Sequence, residues 1–426
     1  MNNLCIFEQK TEIERLMAQK YIERENSSKI KDFINSDIIK IVTGPRRAGK
    51  SIYCTQLLKG KKFAYLNFDD ENLTKFSHDD IMQGLYEVYP EFEIVFFDEI
   101  QNVENWELFV NKLHRRGINL LLTGSNARLL AGEMATSLTG RHITAEVLPF
   151  SLREYLKAAG EQPDYDEDMA PELKGKLLSA FDKYALSGGY PEVVTKGMDV
   201  KAYLGTLFDA VLFKDIVKRH RVKYSKQIYD LAVYLISNFS NEFSYSGIRK
   251  MLSLRSTNTV EKYTGYLEES YMYFVLNRFS YKFKQQINAP KKIYLSDNGL
   301  INARAFQVSG NAGKLLENVC FCEMLRRGYV CNESIFYYKT EKGLEVDFAL
   351  KNGPKVNSLV QVCRGFENGE TKDRELKALM QASEELNCDD LLVITRDTEE
   401  KIKIKNKEIK VMPVLKFLLK YNRELK

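Results

Sequence analysis

Residues 44–51 read Gly-Pro-Arg-Arg-Ala-Gly-Lys-Ser, the pattern G-x-x-x-x-G-K-[ST], and they constrain the fold more than any other stretch. An apolar run at 38–42 precedes them and an apolar helical stretch at 52–58 follows, so the pattern joins a predicted strand to a predicted helix. Glycines let successive backbone N–H groups point at a phosphate, and the positive end of the following helix adds attraction. A glycine-rich turn without function is the competing interpretation, which the flanking strand and helix disfavour. The sequence therefore predicts a phosphate-binding loop.

The polar side chains of this loop predict its ligands. Lys50 is expected to reach the β- and γ-phosphates of ATP, and the Ser51 hydroxyl is expected to complete a Mg²⁺ shell. We therefore expect ATP and Mg²⁺ as cofactors. The predicted cofactor-binding residues are Gly44, Pro45, Arg46, Arg47, Ala48, Gly49, Lys50, Ser51 and Ile52.

Two adjacent carboxylates end another predicted strand. The run 94–97 is apolar, and Asp98 and Glu99 follow it directly. A carboxylate at the carboxyl end of a central strand can lie over the phosphate loop and hold Mg²⁺ through water, which is the role predicted for Asp98. Glu99 can then polarise the attacking water as a general base. Solvation of an ordinary loop is the alternative, but the preceding phosphate loop at a spacing suited to one βαβ module disfavours it.

Three further polar residues are candidates for contact with the transferred phosphoryl group. Ser125 and Asn126 follow the buried strand predicted at 118–122, where a hydroxyl or amide could touch the γ-phosphate or the attacking water. Turn residues after a strand are the ordinary interpretation of the same pair. Arg141 precedes the strand predicted at 143–147 and could stabilise charge in cis or from a neighbouring subunit. A plain surface arginine is an equally good interpretation.

Length and composition bound the class of protein. A chain of 426 residues is too long for one ordinary core, and 44% hydrophobic with 28% charged residues is typical of a soluble globular protein. The net charge of +5 neither requires nor excludes nucleic acid. No apolar run reaches spanning length, so we expect a cytoplasmic chain without a membrane partner. Scattered cysteines without a C-x-x-C pair indicate reduced thiols: Cys5, Cys54, Cys320, Cys322, Cys331, Cys363 and Cys388.

Several stretches in order resemble one family. These are Gly-Pro-Arg-Arg-Ala-Gly-Lys-Ser, Phe-Phe-Asp-Glu-Ile-Gln, Leu-Leu-Thr-Gly-Ser-Asn, Gly-Arg and Leu-Pro-Phe-Ser-Leu-Arg-Glu-Tyr. Together they resemble the prokaryotic AAA-type ATPases with a C-terminal DUF4143 domain, over about residues 30–350. The resemblance implies an α/β fold of the additional-strand class of P-loop NTPases, in which the catalytic Glu abuts the Mg²⁺-binding Asp. The domains expected are an N-terminal helix (1–29), an ATPase core (30–150), a helical lid (151–225), a winged-helix domain (226–305) and a small nuclease-like α/β domain (306–426).

Secondary-structure patterns outside the core predict accessory modules. Residues 10–35 carry apolar side chains at helical spacing and predict a surface helix, and 150–220 read as helical with a sharp turn at 187–191. Residues 214–223 are the densest basic run, either a solvated helix face or a phosphate-backbone contact.

The stretch 226–300 resembles a winged helix-turn-helix, whose third helix commonly enters a DNA major groove. Ser256 is a plausible N-cap for that helix. We expect one face of the helix to carry Val260, Tyr263, Leu267 and Tyr271, and the outward face to carry Thr257, Asn258, Glu261 and Lys262. We expect phosphate contacts from Lys282, Lys284, Lys291 and Lys292. A protein-contact module is the alternative to DNA binding.

The last segment predicts helix, three strands, helix and strand, and it resembles the PD-(D/E)xK nuclease core. Glu317 and Asp347 match the upstream Glu and the strand Asp of that core. The E-x-K triplet, however, reads Gln361-Val362-Cys363, and Cys cannot stabilise developing charge as an ammonium does. The sequence therefore predicts a nuclease-like fold retained for binding or assembly.

Three functional hypotheses remain at this point. The leading one is ATP hydrolysis coupled to conformational change, with Lys50, Ser51, Asp98 and Glu99 as its core and DNA or a protein as partner. The second is a slow nucleotide-gated switch that binds DNA or protein, and the third is an ATP-regulated nuclease, which the missing Lys disfavours. The chain is expected as a monomer or a homo-oligomer, and an arginine acting between subunits would need at least a dimer.

Overall fold

The computed structural model describes residues 4–25, 28–126, 140–162, 164–306, 311–366 and 369–420. The chain divides into two units. The first comprises Met1–Pro149 with Glu269–Tyr271, and the second comprises Phe150–Glu268 with Met272–Lys426.

Five parallel strands form the sheet of the first unit, in the order β2-β3-β4-β1-β5. Strand β4 therefore lies between β1, which leads into the phosphate loop, and β3, which ends at Asp98. Strands β1 and β3 are buried along their whole length, as expected of parallel strands covered by helices on both faces. The elements are α1 (Leu4–Met17), α2 (Ser28–Asp32), β1 (Ile39–Thr43), α3 (Lys50–Leu57), β2 (Phe63–Asn67), α4 (His78–Val88), β3 (Ile94–Asp98), α5 (Trp106–Arg115), β4 (Asn119–Gly124) and β5 (His142–Glu146).

The N-terminal segment differs from the single surface helix expected over 10–35. Helix α1 ends at Met17, and residues 18–25 are not helical. Arg24 in this connection is buried, and its guanidinium donates to the carbonyls of Ala48 and Leu148 at 2.6 and 2.5 Å. Charge-assisted hydrogen bonds to carbonyls of the phosphate loop and of the segment after β5 thus oppose continuation of the helix. The prediction was wrong here because periodicity carries no information about such long-range bonds.

The second unit begins with helices. A turn at 188–190 separates α7 from α8, as predicted, and Gly188 adopts a φ of 72° there. A Cβ at this position would lie 1.7 Å from Asp297 Oδ1, so the close approach requires glycine. The helices are α6 (Leu152–Ala158), α7 (Pro171–Ser187), α8 (Pro191–Lys196) and α9 (Val200–Ala210), which continues as a π-helix over Val211–Val217.

Three helices and a small antiparallel sheet follow. The three helices and two later strands expected for a winged helix occur in that order, but a short strand (Glu242–Phe243) and a helix between the two later strands (Phe283–Asn288) were not expected. Ser256 accepts a hydrogen bond from the Thr259 N–H at 3.1 Å and so caps α12, as predicted. The sheet has the order β6-β8-β7. The elements are α10 (Ser225–Ser237), β6 (Glu242–Phe243), α11 (Tyr245–Met251), α12 (Thr257–Glu268), β7 (Tyr273–Asn277), α13 (Phe283–Asn288), β8 (Lys291–Leu295) and α14 (Asn298–Arg304).

Tyr271 does not belong to the buried face of α12, contrary to expectation. The helix ends at Glu268, and Tyr271 has a left-handed backbone with φ 58°. A chain that leaves the helical conformation no longer follows the helical spacing, so the i+4 step from Leu267 fails. Val260, Tyr263 and Leu267 are buried as predicted.

The C-terminal segment contains a six-stranded sheet in the order β13-β14-β12-β11-β10-β9. It has the helix, three strands, helix and strand that were predicted, and it adds a β13–β14 hairpin and a last helix. The elements are α15 (Ala312–Arg326), β9 (Ile335–Lys339), β10 (Glu345–Asn352), β11 (Lys355–Val362), α16 (Gly369–Leu386), β12 (Asp390–Thr395), β13 (Glu400–Ile404), β14 (Lys407–Pro413) and α17 (Val414–Leu419).

Candidate functional site

The predicted phosphate loop lies between β1 and α3, where its backbone needs glycine at two positions. Gly44 has a φ of 138° and Gly49 a φ of 93°. A Cβ on Gly44 would lie 2.1 Å from the carbonyl oxygen of Val147, the residue after β5. The conformation and the close approach of the neighbouring strand therefore both require glycine at position 44.

The Lys50 ammonium is folded back into this loop. Its Nζ lies 3.2 Å from the carbonyl oxygens of Gly44 and of Pro45, and 3.3 Å from Glu99 Oε1. The side chain is 4% exposed. A buried positive charge thus lies where the sequence predicts the β- and γ-phosphates, and its present partners are loop carbonyls and one carboxylate.

Asp98 is buried at the carboxyl end of β3 and faces the start of α3. Thr123 and Tyr65 donate hydrogen bonds to its two oxygens, the Tyr65 bond at 3.2 Å, and the Ser51 hydroxyl also hydrogen-bonds to it. Burial and the adjacent Glu99 raise the pKa of Asp98, while the bonds from Thr123 and Ser51 lower it. The two residues predicted to hold Mg²⁺, Ser51 and Asp98, are therefore in direct contact.

Glu99 is the residue that links the two halves of the site. Burial alone would raise its pKa, but the Lys50 ammonium and hydrogen bonds from Gln101 and Ser125 outweigh burial and lower the pKa to about 2. Its backbone is left-handed, with φ 52°. The left-handed backbone at Glu99 turns its carboxylate to the phosphate loop, whereas the carboxylate of the preceding Asp98 points to the start of α3.

Ser125 contacts the carboxylate of Glu99. Its hydroxyl donates to Glu99 Oε2 at 2.9 Å and its backbone N–H donates to the same oxygen at 3.2 Å. Asn126, beside it, is also buried. The structure thus places Ser125 at the site, holding the predicted base.

Sequence reasoning missed three residues that position these carboxylates. Gln101 donates its amide N–H to Glu99, Thr123 bonds to Asp98 and accepts from the Glu99 N–H at 2.9 Å, and Tyr65 bonds to Asp98. Thr123 and Tyr65 lie on strands adjacent to β3, so only the strand order could have identified them.

Arg141 does not lie near the loop, so the expectation that it acts in cis was wrong. Its carbonyl accepts the Ile39 N–H at 2.9 Å, at the amino end of β1, whereas the loop follows the carboxyl end of that strand. The four steps of ~3.3 Å between Ile39 and Thr43 separate the two ends of β1 by about 13 Å, which exceeds the span of an arginine side chain. The parallel pairing of β5 with β1 imposes this placement, and the side chain is exposed.

These residues fit a magnesium-bound nucleoside triphosphate. The glycine backbone at position 44 leaves no room for a side chain, the buried ammonium of Lys50 supplies positive charge, and Ser51 with Asp98 supplies oxygen ligands of the kind Mg²⁺ prefers. Such a cation would neutralise charge on the phosphates that it bridges.

In the second unit, the structure corrects one of the predicted phosphate contacts. Lys282 and Lys284 are exposed and Lys291 is half-buried, but Lys292 is 1% exposed. Its ammonium lies 3.0 Å from both Glu317 Oε1 and Asp347 Oδ1. Lys292 therefore cannot reach a DNA backbone, because its ammonium is buried among these acids.

The outward face of α12 is as predicted, with Thr257, Asn258, Glu261 and Lys262 all exposed. The basic run reaches this helix, because His220 stacks on Tyr266 with ring centroids 3.6 Å apart. Lys262 lies over the same Tyr266 ring, 5.7 Å from its centroid. The end of the basic run thus packs on α12, whose exposed face carries Lys262 beside Glu261. We refer to the exposed cations of these two segments as the cationic surface: Lys218, Arg219, Arg221, Lys223 and Lys262.

The fold and this site define the class: the first unit is an AAA-type P-loop ATPase domain of the additional-strand topology. A family model described as "AAA domain" matches residues 36–156, one described as "Domain of unknown function (DUF8612)" matches 178–310, and one described as "Domain of unknown function (DUF4143)" matches 312–417. The chain belongs to the family of AAA-domain proteins with a C-terminal DUF4143 domain. It is 36% identical over 401 residues to the uncharacterized protein MJ1544 of Methanocaldococcus jannaschii, covering 90% of this chain and 88% of that protein. It is 32% identical over 332 residues to an uncharacterized protein of Haemophilus influenzae, covering 74% and 81%.

Among solved structures, the chain is similar to the Walker-type ATPase PABY2304 of Pyrococcus abyssi, at 15% identity and a TM-score of 0.45, over 68% of this chain and 99% of that one. It is also similar to AMPPCP-bound DnaA from Aquifex aeolicus, at 14% identity and a TM-score of 0.27, over 58% and 90%. Within the described residues, no helix combines the length and apolar character needed to cross a membrane.

Proposed function

We propose that the chain hydrolyses ATP with Mg²⁺ and couples turnover to conformational change. The observation that carries this proposal is the 3.3 Å contact between the Lys50 ammonium and Glu99, directly beside the Ser51–Asp98 pair. One residue set thus supplies a phosphate-binding cation, oxygen ligands for a metal and a carboxylate kept ionised by its low pKa.

The roles of the three groups follow from their surroundings. Lys50 would contact phosphate oxygens in place of its loop carbonyls, and Ser51 and Asp98 would hold Mg²⁺, which would supply positive charge at the phosphates. Glu99 accepts the proton of the attacking water, and Ser125 and Gln101 orient its carboxylate. An ionised base is available throughout the neutral range because the pKa of Glu99 is about 2.

Steady-state ATP turnover tests this assignment. Glu99→Gln should lower turnover by at least about a hundredfold, the range expected when a general base is removed, and should keep nucleotide binding. Lys50→Ala should abolish binding or turnover. Glu91→Gln is the matched control, because Glu91 is an exposed acid of the same unit that pairs only with the exposed Lys62 among the described residues. Equal turnover in Glu99→Gln and the parent chain would refute the assignment.

DNA is the partner that one specific observation favours. The cationic surface combines the densest basic run with the outward face of α12, and the His220–Tyr266 stack holds the two together. Lysine and arginine side chains on one face bind the phosphate backbone and release counterions. The protein-contact alternative would not need this concentration of positive charge.

Duplex DNA binding measured by fluorescence anisotropy over a range of salt concentrations tests this surface. Arg221→Ala and Lys262→Ala should each weaken binding and reduce the slope of log K against log salt by about 0.9. Lys401→Ala, an exposed lysine on β13, is the control and should leave the slope unchanged. An unchanged slope in both surface variants would contradict DNA binding at this surface.

Turnover with and without duplex DNA separates two modes of action. Strong stimulation by DNA indicates a motor or remodelling enzyme, whereas slow turnover that DNA does not change indicates a nucleotide-gated switch. We propose that the exposed Arg141 acts on the site of a neighbouring subunit. Turnover per chain should then rise with protein concentration in the parent and not in Arg141→Ala.

A further inference from the structure

A buried ammonium occupies the centre of the nuclease-like module. Lys292 of β8 is 1% exposed, and its Nζ lies 3.0 Å from Glu317 Oε1, 2.8 Å from Glu345 Oε1 and 3.0 Å from Asp347 Oδ1. An ammonium has three N–H donors, and here each has a carboxylate partner. Three acids from α15 and β10 thus converge on one cation that the chain itself supplies from a third element.

The carboxylates around this cation are themselves held in place. The Tyr294 hydroxyl donates to Glu317 Oε1 at 2.6 Å, and the Val362 N–H donates to Asp347 Oδ2 at 3.0 Å. Burial opposes the charged ammonium, yet Glu317, Tyr294 and Asp347 raise the pKa of Lys292 well above its usual range. The surrounding acids therefore favour the charged ammonium.

The residue at the triplet position makes its bonds elsewhere. Gln361 accepts the Asp347 N–H at 3.2 Å through its carbonyl oxygen and donates its amide N–H to Glu375 of α16. Both ends of its side chain are thus committed to structural bonds. Within the described part of the chain, no group of three or more His, Cys, Asp or Glu side chains can hold a metal ion as it stands, and this includes the three acids around Lys292, because the ammonium already lies between them.

We propose that Lys292 takes the place of a divalent cation in this module, so that Glu317, Glu345 and Asp347 form a latent metal site that the chain's own ammonium blocks. Carboxylate oxygens are the ligands that Mg²⁺ and Mn²⁺ prefer, and three of them meet within about 3 Å of one point. A divalent cation at that point would be repelled by the ammonium. The ion pairs of the blocked site hold β8 of the small sheet to α15 and β10. Because no metal can bind there, the site cannot support metal-dependent hydrolysis.

Uptake of Mn²⁺ by the nucleotide-free full chain, measured from the loss of the free-ion electron paramagnetic resonance signal, tests the proposal. In the parent background, Asp347→Asn should leave Mn²⁺ uptake unchanged. Lys292→Met keeps the aliphatic stem without the charge. It should bind an additional Mn²⁺ even at concentrations about tenfold below the highest at which the parent shows no such binding. The added uptake should disappear in Lys292→Met/Asp347→Asn. Lys291→Met is the matched control, because Lys291 is the neighbouring lysine of β8 and contacts the carbonyls of Ile287 and Ala289 instead.

Two results would overturn the proposal. One is Asp347-dependent Mn²⁺ uptake by the parent chain, and the other is a folded Lys292→Met chain that gains no site. If the lost charge destabilises Lys292→Met, Mn²⁺ should raise its melting temperature more than that of the parent, and only while Asp347 is present. Absence of this rescue would also contradict the latent site. None of these readouts depends on ATP turnover, so they remain decisive whatever the outcome for the phosphate loop.

Discussion

Glu99→Gln should tighten nucleotide binding as well as stop hydrolysis. Glu99 Oε1 lies 3.3 Å from the Lys50 ammonium, which is the group proposed to bind the phosphates. Binding must therefore separate an existing ion pair before Lys50 can contact the nucleotide. A glutamine keeps the shape of the side chain and removes its charge, so Lys50 loses this competing partner.

The structure sets the size of this effect. The pKa of Glu99 falls from 4.5 to about 2, which corresponds to a net stabilisation of the ionised carboxylate of about 3 kcal/mol. Lys50, Gln101, Ser125 and Arg46 contribute to this stabilisation against the opposing effect of burial, and Lys50 contributes most. An ion-pair contribution of about 1 kcal/mol corresponds to about a fivefold gain in affinity when Lys50 is released.

Equilibrium titration with a fluorescent ATP analogue in Mg²⁺ measures the gain, with Glu91→Gln as the control for loss of a distant acid. We expect about fivefold tighter binding in Glu99→Gln together with the loss of turnover. Weaker binding in Glu99→Gln would show that the carboxylate supports the nucleotide rather than competing for Lys50. That result would refute the pairing argument even if hydrolysis were lost.

The remaining predictions concern backbone fit and pH. Gly44→Ala places a Cβ 2.1 Å from the Val147 carbonyl oxygen at a φ of 138°. Nucleotide binding should be lost, and the free energy of unfolding should fall by about 1–3 kcal/mol. Nucleotide affinity equal to that of the parent would contradict the requirement for glycine. Gly188→Ala sets a Cβ 1.7 Å from Asp297 Oδ1. It should lower the free energy of unfolding, measured by urea denaturation, by about 2–4 kcal/mol without changing ATP affinity. Burial raises the pKa of Glu268 from 4.5 to about 7. Between these two pH values the folded chain holds a proton that the unfolded chain releases. The stability that protonated Glu268 contributes is therefore complete below pH 4.5 and is lost as pH rises through about 7. Glu268→Gln should remove that decline and be more stable at pH 8 by about 1–3 kcal/mol; an unchanged pH profile would contradict the assignment.

Local sequence patterns were sufficient for the phosphate loop. Gly44, Gly49, Lys50 and Ser51 work within one turn and the start of one helix, so their spacing along the chain almost determines their arrangement in space. The cap of α12 by Ser256 and the turn at 188–190 were predictable for the same reason, since each depends on hydrogen bonds or backbone angles a few residues apart.

Contacts between distant strands were not predictable in this way. Arg141 precedes β5 by one residue, but the parallel register of β5 with β1 places it at the end of the sheet away from the loop. Lys292 belongs to an apparently basic stretch, but its ammonium is buried against Glu317 and Asp347, more than twenty residues away. The end of α1 at Met17 reflects the bonds that Arg24 makes in tertiary structure.

The amino-acid sequence by itself determined that this chain has a phosphate loop followed by a strand ending in two carboxylates, because these features depend on residue spacing within short segments. The tertiary structure alone decided which groups meet. Strand order brings Thr123 and Tyr65 to Asp98. The packing of β8 against α15 and β10 places the Lys292 ammonium in a cluster of acids. The physical reason is that local hydrogen bonds and backbone preferences act over a few residues, whereas sheet register joins side chains without regard to their separation in the chain.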